Sequence, residues 1–342
     1  MSDLGIGVVG LGRLGYVHAV NAAKAKRGRL VAVCDQQEDL AASTARELGC
    51  SSYTDLNRML ENQDIDAVCV VTPTALHVDP IQAVVEAGKP LFCEKPLAST
   101  LDDTLMLAQL IKQSGILCQI GFHRRFDPPV AEAEAMIREG IIGKPVFISA
   151  FMRDPFPPPP WACDPARGGG LYIDFLLHDF DEARFLMKDE VISVYAEDTN
   201  LVVDAQGIKD FADNATVSLR FAGGALGSFH ASMHASYGYD VRAEVFGSEG
   251  NLIIGGLNRT ELTLCSSAKG ITKPETFQPQ QGGKIPHFMV RYREAYELEM
   301  ESFIESVLGG TRPLVTEDDA VAAFKIALAA GRSARSHVPA QV

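Results

Sequence analysis

The sequence predicts two domains: an N-terminal α/β domain with a doubly wound parallel sheet, and a C-terminal α+β domain built on a large, mostly antiparallel sheet. Three observations predict this arrangement. The chain has 342 residues, which is more than one hydrophobic core usually serves. Apolar strand patterns alternate with helical patterns up to residue 122, as is typical of a parallel sheet covered on both faces. From residue 191 to 265 strand patterns and turn residues follow one another instead, which indicates antiparallel pairing.

Six strands alternate with helices in the first domain, which we place at residues 1–123. The apolar run LGIGVVG at 4–10 predicts the first strand, a helix reaches to about Lys26, and RLVAVCD at 29–35 predicts the second strand. The same patterns predict helix 37–48, strand 51–53, strand 66–71, helix 77–87, strand 90–93, helix 101–114 and strand 117–122.

The second domain, residues 124–342, begins with a predicted helix and strand and then changes to hairpins. Prolines and glycines at 155–160 and 167–170 mark a loop, since they interrupt regular elements. Two turns rich in glycine, at Gly223-Gly224 and at 248–250, each separate two strand patterns and predict hairpins. The other predicted elements are helix 129–139, strand 144–154, a helix from about 171, and helices 288–308 and 317–335, of which the last could pack back on the first domain.

Composition excludes several classes of protein. The formal net charge of -13 without a basic stripe argues against nucleic-acid binding. No apolar run approaches the roughly 18 residues of a membrane helix, and the start MSDLGIGVVG has no basic segment or cleavage site of a secretory signal. The seven cysteines are scattered, which is typical of small buried side chains in a reducing cytoplasm.

The segment GLGRLG follows the first strand and opens a helix, which is the context in which G-x-G-x-x-G predicts dinucleotide binding. Gly10 permits a tight turn, Gly12 lets a pyrophosphate approach the backbone, and Gly15 allows the helix to pack closely on the strand. The helix N-terminus, at Arg13 and Leu14, supplies amide donors and partial positive charge to the phosphates. The first domain is therefore predicted to be a dinucleotide-binding Rossmann domain.

Asp35 ends the second strand, twenty residues after Gly15. A carboxylate at this place accepts hydrogen bonds from ribose hydroxyls and repels a 2′-phosphate. The next residues, Gln36 and Gln37, offer no positive charge. The sequence therefore predicts NAD rather than NADP as the cofactor.

Three residues of VTPTALH at 71–77 are expected to line the cofactor site. The segment follows the fourth strand, and ligands of open α/β sheets bind at the carboxyl ends of the strands. Thr72, Pro73 and His77 are these candidates. Threonine and proline also end strands in general, and a structural role for His77 is an equal alternative.

The segment GLYIDFLLHDFD at 170–181 predicts a helix with apolar residues on every side, and such a helix should be buried. Asp174 and His178 are four residues apart, so in an α-helix they share one face. Buried polar groups need partners or a function. A metal site formed with Asp181 would lack further ligands, so no metal is expected. The solvated or interdomain side of the helix is assigned to Asp179, Asp181, Glu182 and Arg184.

The ordered set of GLGRLG, Asp35, EKPLA at 94–98, Asp174 and His178 resembles the Gfo/Idh/MocA family of oxidoreductases. The resemblance covers nearly the whole chain, about 4–335. It is most similar to the inositol 2-dehydrogenase branch in the segments GFHRRFDP at 121–128, RDPFPPPP at 153–160, HDFDEARFL at 178–186 and RYREAYELEMESFI at 291–304.

This resemblance implies oxidation of a secondary alcohol with NAD as hydride acceptor and a set of catalytic residues. Lys95 is implied to be the catalytic lysine, and Glu94 to bind the ribose next to the nicotinamide. His178, with a pKa near neutrality, is suited to accept the hydroxyl proton, while Lys95 would stabilise negative charge on the reacting oxygen. Asp174 could orient the His178 ring or bind a neighbouring hydroxyl.

The implied substrate is a small polyol, a cyclitol of the myo- or scyllo-inositol type. Each hydroxyl of a polyol must be matched by donors and acceptors. Arg124 and Arg153 can equally form structural ion pairs, and Trp161 could cover the site or anchor its loop. The candidates for substrate contact are His123, Arg124, Arg153, Asp154, His234, Tyr237 and Tyr292.

Several alternatives remain open at this point. The substrate could be an aldose, the chain could be a regulator that binds dinucleotide without turnover, or it could be an NAD-dependent glycosidase. The resemblance also implies a homo-oligomer, a dimer or a tetramer. A sheet face carrying Phe229, Val241, Val245 and Phe246 is expected to be apolar and to support self-association.

Overall fold

The computed structural model describes residues 3–156, 169–202, 211–256, 259–273 and 287–342. Two compact units divide the chain. The first contains the residues up to His123 together with Glu294–Val321, and the second contains Arg124–Arg293 together with Ala322–Val342. The proline-rich stretch from 157 onward, with Trp161 and Cys163, lies outside the described residues.

The sheet of the first unit has six strands in the order β3-β2-β1-β4-β5-β6, and all neighbours pair in parallel. Strands β1 and β4 are buried along their whole length, which explains their uninterrupted apolar sequences. The predicted doubly wound parallel sheet is confirmed, and its order reverses between β1 and β4. The strands are β1 (Leu4–Val9), β2 (Gly28–Cys34), β3 (Ser51–Tyr53), β4 (Ala67–Val70), β5 (Leu91–Glu94) and β6 (Cys118–Gly121).

Helices connect these strands, and the sequence patterns missed one of them. Helix α3 has five residues, too few to show a helical period, and it begins where the Asp55 side chain accepts a hydrogen bond from the Asn57 amide at 2.8 Å. The helices are α1 (Arg13–Lys24), α2 (Glu38–Leu48), α3 (Leu56–Leu60), α4 (Val78–Glu86) and α5 (Leu101–Ser114).

The division of the chain differs from the expected one in its C-terminal part. A second domain of 124–342 was expected, whereas the structure assigns Glu294–Val321 to the first unit. The reason is apolar packing: Met300, Phe303 and Ile304 belong to the same buried cluster as Ile6 and Phe92. Most of the last helix lies in the second unit instead.

The sheet of the second unit has nine strands in the order β14-β13-β12-β11-β7-β10-β9-β8-β15. Among the strands that the structure describes in this sheet, only β7 and β10 pair in parallel, so the prediction of a mostly antiparallel sheet is confirmed. Both predicted hairpins are present, as β9 with β10 and as β11 with β12. The strands are β7 (Pro145–Arg153), β8 (Val191–Thr199), β9 (Asn214–Phe221), β10 (Leu226–Ser232), β11 (Asp240–Gly247), β12 (Gly250–Gly256), β13 (Arg259–Ser266), β14 (Gly270–Thr272) and β15 (Ala340–Gln341).

Helices α6 and α7 cover one face of this sheet, where the Phe180 ring of α7 stacks 6.0 Å from Phe229 of β10. The expected apolar face is therefore wrong in part, because Phe229 and Val245 are buried while Phe246 is 52% exposed. Successive side chains of a strand point to opposite faces of the sheet, so Val245 lies on the covered face and Phe246 on the other. The remaining helices of the chain are α6 (Pro128–Arg138), α7 (Leu177–Met187), α8 (Phe288–Arg291), α9 (Arg293–Gly309) and α10 (Glu317–Ser336).

Two negative findings concern the described residues. None of their helices combines the length and the apolar character needed to cross a bilayer. The six cysteines in the described ranges carry free thiols, and four of them are buried.

Candidate active site

The glycine loop of the first unit has the geometry that its sequence predicts. Gly10 has φ 86°, and a Cβ there would stand 2.7 Å from the Thr72 amide nitrogen. A Cβ on Gly15 would stand 1.9 Å from the Gly10 carbonyl oxygen, whereas one on Gly12 would meet no atom within 4 Å. Two glycines are thus required by packing, and Gly12 leaves open space at the N-terminus of α1. Arg13 is exposed and Leu14 half-buried in the first turn.

A cavity of about 520 Å³ opens at the carboxyl ends of the strands, beside the loop and at the reversal of strand order, where dinucleotides bind in this fold. Asp35 lies at its wall. The Asp35 carboxylate accepts hydrogen bonds from the Leu11 amide at 2.8 Å and the Gln37 amide at 2.9 Å. Two backbone donors therefore hold this carboxylate in place. The open space at Gly12, the cavity and the fixed carboxylate together fit a dinucleotide.

The lining of the cavity favours a cofactor without a 2′-phosphate. No lysine or arginine is among the lining residues, so nothing there would offset the charge of Asp35 next to a phosphate. The lining includes Val9, Gly10, Cys34, Asp35, Gln36, Gln37, Thr54, Leu56, Asn57, Thr72, Pro73, Ala75 and Leu76.

His77 does not line the cavity, although Thr72 and Pro73 do. The His77 ring is buried, with Nε2 2.8 Å from the Thr72 carbonyl oxygen and Nδ1 3.3 Å from the Leu97 carbonyl oxygen. Burial lowers the pKa of His77, although the backbone carbonyls oppose this. The geometry therefore supports the structural alternative: His77 joins the loop after β4 to the loop after β5.

Glu94 ends strand β5, and Lys95 follows it directly. The Glu94 carboxylate is buried. One of its oxygens lies 2.7 Å from His18 Nε2, and the other accepts a hydrogen bond from the Lys95 amide at 3.0 Å. The Lys95 side chain is half-buried, and its peptide bond to Pro96 is cis.

The helix that carries Asp174 and His178 is not a continuous α-helix. Leu171–Phe175 forms a π-helical turn, closed by a hydrogen bond of 2.9 Å from the Leu176 amide to the Leu171 carbonyl oxygen, and α7 begins at Leu177. Single π turns are frequent at functional sites. The shared-face argument for an α-helix therefore does not apply directly: Asp174 lies exposed on the π turn, and His178 is buried in the first turn of α7.

Of the two alternatives for this side of the helix, solvated or interdomain, the solvated one is wrong. Asp179, Asp181 and Glu182 are all buried, because cations on the segment after β6 pair with them. Arg124 Nη1 lies 3.1 Å from Asp179 and 3.0 Å from Glu182. Asp181 pairs with Arg125 through both of its oxygens, so the alternative metal site with Asp174 and His178 would have to break this pair.

Arg124 accordingly makes the structural ion pairs that were its alternative role. Burial opposes its charge, but Asp179 and Glu182 raise the pKa of its guanidinium. Burial also raises the pKa of Glu182 to about 7, against the lowering effect of Arg124. One guanidinium thus holds two buried carboxylates.

Arg153 and Tyr237 form a partly exposed polar group with Asp240. The Tyr237 hydroxyl lies 3.0 Å from Arg153 Nη1 and donates to Asp240 at 2.8 Å. Asp154, which follows Arg153 in the sequence, is half-buried, and its backbone forms hydrogen bonds with the backbones of Ser232 and Ala235. These side chains keep donors and acceptors near the surface of the second unit. Among the other candidates, His234 is exposed.

His123 and Tyr292 are buried in different units. The His123 ring stacks on Tyr296 of α9 with 4.5 Å between ring centroids. The Tyr292 ring lies under two guanidinium groups, 5.9 Å from that of Arg124 and 4.4 Å from that of Arg291. Each ring therefore has a packing role in its own unit.

Sequence reasoning missed His18, Glu299 and Arg125, which are buried polar residues with partners far along the chain. A signal for His18 was available: it stands in helical period with Gly15, Ala19 and Ala22, which are buried with it. A titratable residue on the buried stripe of a helix needs a partner, and its partner is Glu94.

Two family models match the chain. Residues 4–122 match the oxidoreductase family with an NAD-binding Rossmann fold, and residues 130–253 match the GFO/IDH/MocA C-terminal domain. Together they cover the dinucleotide-binding part of the first unit and most of the second unit's sheet.

Similar proteins match over nearly their whole length. The scyllo-inositol 2-dehydrogenase (NAD(+)) of Bacillus subtilis is 40% identical over 98% of this chain and 95% of its own, and the myo-inositol 2-dehydrogenase of Thermotoga maritima is 36% identical over 96% and 95%. The structure of scyllo-inositol dehydrogenase from Lactobacillus casei, with bound NAD(H) and scyllo-inositol, is similar with a TM-score of 0.85 at 28% identity, covering 99% of both chains. The chain is a member of the Gfo/Idh/MocA family of oxidoreductases.

Proposed function

We propose that this protein oxidises a secondary alcohol of a cyclitol, of the scyllo- or myo-inositol type, to a ketone with NAD as the hydride acceptor. The extent of the similarity supports this most: a scyllo-inositol 2-dehydrogenase that uses NAD is 40% identical over 98% of the chain. The cavity beside Gly10 and Asp35 agrees with it, because its volume, place and carboxylate suit a dinucleotide.

The first unit holds the cofactor. The amides at the start of α1, near Gly12, Arg13 and Leu14, bind the pyrophosphate, and Asp35 accepts hydrogen bonds from the adenosine ribose. Thr72 and Pro73 form the wall after β4, and Glu94 binds the ribose on the nicotinamide side. When bound, NAD supplies the acceptor for the hydride.

Three side chains act on the reacting alcohol group. His178 accepts the hydroxyl proton as general base. Lys95 donates a hydrogen bond to the reacting oxygen and stabilises its developing negative charge. Asp174, exposed on the π turn, orients the substrate or the His178 ring.

Recognition of the other hydroxyls falls to the second unit. Arg153 and Tyr237 offer donors, while Asp154 offers acceptors, and all three side chains are partly accessible to solvent. A site that matches hydroxyls in this way discriminates against substrates that lack them. Arg124, by contrast, is buried and paired and has no part in this recognition.

The test is NADH formation from NAD, followed by absorbance, with myo-, scyllo- and chiro-inositol and with D- and L-aldoses. Turnover on a cyclitol is expected. Turnover on aldoses alone would make the protein a sugar dehydrogenase. Cofactor binding without turnover on any polyol, together with a stable protein partner, would indicate a regulator. Release of a leaving group without net NADH would indicate a glycosidase.

The role of His178 has a matched test. His178→Asn is expected to lower turnover by about 10²–10⁴-fold, the range of general-base catalysis, with NAD affinity unchanged. His337→Asn is the control, because His337 is exposed and bonds Glu197 on the surface of the same unit. Equal turnover in the two variants would remove His178 from the mechanism.

The open face of the nine-stranded sheet supports a homo-oligomer. Leu226, Phe147 and Phe246 are direct neighbours on β10, β7 and β11, and Leu226 and Phe246 are exposed. Such a row of apolar side chains across a sheet suits a second copy of the chain. Sedimentation is expected to show a dimer or tetramer that Phe246→Glu weakens, whereas a monomer at micromolar concentration would rule it out. The free thiols suit a cytoplasmic location.

A further inference from the structure

A buried group of three titratable side chains lies in the first unit: His18 on α1, Glu94 at the end of β5 and Glu299 on α9. Their ligand atoms all lie within 4.8 Å of one another, and all three residues are buried. We call them the His18–Glu94–Glu299 cluster. The proposed function uses Glu94 and leaves the other two residues without a role.

Contacts with neighbouring residues hold the Glu94 carboxylate in place. Its carboxylate bonds His18 on one side and the Lys95 amide on the other. A Cβ on Gly121 of β6 would stand only 2.9 Å from the carboxylate carbon of Glu94, so a glycine there is required for the carboxylate to lie where it does. The His18 ring packs against Phe92 at 4.9 Å and against Tyr296 at 5.7 Å.

The ion pair that Glu94 makes among these buried side chains is with His18. Within the described ranges, neither carboxylate oxygen of Glu299 has a hydrogen-bond partner. Gln119 bonds only the Glu299 carbonyl, at 2.9 Å. Two ionised carboxylates side by side in such a place would be costly.

A bound proton explains better than a bound metal ion how the negative charge of the two carboxylates is reduced. Two ligand atoms on one small cation stand about 3 Å apart or more, since each bond is roughly 2.1 Å long. His18 Nε2 and Glu94 Oε1 are 2.7 Å apart, which is a hydrogen-bond distance. Burial, and then the neighbouring Glu94, raise the pKa of Glu299 well above its usual range. The other titratable groups nearby are Cys69 of β4, Tyr296 of α9 and His123, which stacks on Tyr296.

We propose that the His18–Glu94–Glu299 cluster couples its proton to the redox state of the cofactor, releasing it when oxidised NAD binds and retaining it when NADH binds. The proposal rests on the proposed function for the position of Glu94 beside the nicotinamide ribose. The O–H bond of the Glu299 carboxyl group breaks and the proton passes to solvent, and the negative charge left in the cluster would stabilise the cationic nicotinamide of bound NAD. The neutral ring of NADH gives no such stabilisation. Glu299 is thus a positioning residue that acts through Glu94.

Isothermal titration calorimetry in two buffers of different ionisation enthalpy measures the protons released on binding. We would titrate NAD, NADH and ADP-ribose, which lacks the nicotinamide, between pH 7 and pH 9. Wild type is expected to release up to one proton more with NAD than with NADH or ADP-ribose. Glu299→Gln abolishes this difference. Glu297→Gln keeps it, because Glu297 is exposed two residues earlier on the same helix.

The outcomes separate this proposal from the proposed function. Absence of any binding heat with NAD defeats the cofactor assignment itself. Equal proton release with NAD and NADH, or a difference that survives Glu299→Gln, overturns the coupling while leaving the enzyme intact. A stoichiometric metal whose removal abolishes the difference would also overturn it. If Glu299→Gln does not fold, His18→Gln must reduce the difference in its place.

Discussion

Each unit of this protein buries a cluster of two carboxylates, and the two clusters are neutralised in different ways. In the second unit, Asp179 and Glu182 share the guanidinium of Arg124. In the first unit, Glu94 and Glu299 lie beside the His18 imidazole, and among the described residues neither carboxylate oxygen of Glu299 has a hydrogen-bond partner. A guanidinium keeps its charge at any ordinary pH, since arginine does not lose its proton. A cluster without one depends on protons and can respond to a new charge nearby.

Removing the cation of the second unit should produce the largest effect. Arg124→Met leaves Asp179 and Glu182 buried without a partner and is expected to lower the free energy of unfolding by about 3–5 kcal/mol, as for other broken buried pairs. Urea denaturation measures it. Arg138→Met is the control, because Arg138 is an exposed residue on α6 whose contact with Glu134 spans 3.7 Å, and it should cost less than about 1 kcal/mol.

If Arg124→Met lowered the free energy of unfolding no more than Arg138→Met does, the structural role given to Arg124 would be contradicted. In that case the two carboxylates would have to be protonated in the native state, and the contrast between the two clusters would disappear.

Local patterns were enough to predict the six strands of the first sheet, the conformation of the glycine loop and both hairpins of the second sheet. Each of these depends on residues that are neighbours in sequence. Gly10 needs a left-handed backbone because of the turn it makes, and β1 is apolar because both of its faces are covered. The residue types therefore carry the information themselves.

The polar clusters could not be predicted in this way, because their members are far apart along the chain. Arg124 and Glu182 are separated by 58 residues, and His18 and Glu94 by 76. Charged residues such as Asp179 look solvated until their partners are known. The place of α9 in the first unit depends likewise on Phe303 meeting a core formed by residues between Leu4 and Phe92.

The second prediction concerns the cluster without a fixed cation. The native state holds the proton of Glu299 above the pH at which the unfolded chain releases it. The stability that this proton contributes is therefore fully present at low pH and is lost as pH rises. Relative to Glu299→Gln, wild type should lose unfolding free energy as pH rises above about 4.5, the ordinary pKa of a glutamic acid, measured by urea denaturation from pH 4 to 9.

Glu297→Gln provides the baseline, because this residue is exposed on the same helix and should follow wild type at every pH. A wild-type curve parallel to that of Glu299→Gln would mean that Glu299 is ionised in the folded protein. That result would also remove the proton on which the coupling to the cofactor depends.

The smallest change in unfolding free energy is expected at Glu182, where Arg124 limits the rise in the pKa of the carboxyl group. Burial raises the pKa of Glu182 to about 7, above its value in an unfolded chain, so its contribution to stability is also present at low pH and lost as pH rises. Relative to Glu182→Gln, wild type should lose at most about 3 kcal/mol between about pH 4.5 and 7 and nothing further above that. The levelling above pH 7 is what distinguishes a carboxylate beside a guanidinium from one beside an imidazole alone. A loss of unfolding free energy at Glu182 that continues well above pH 7 would show that Arg124 does not stabilise the ionised form and that the two clusters follow the same rule.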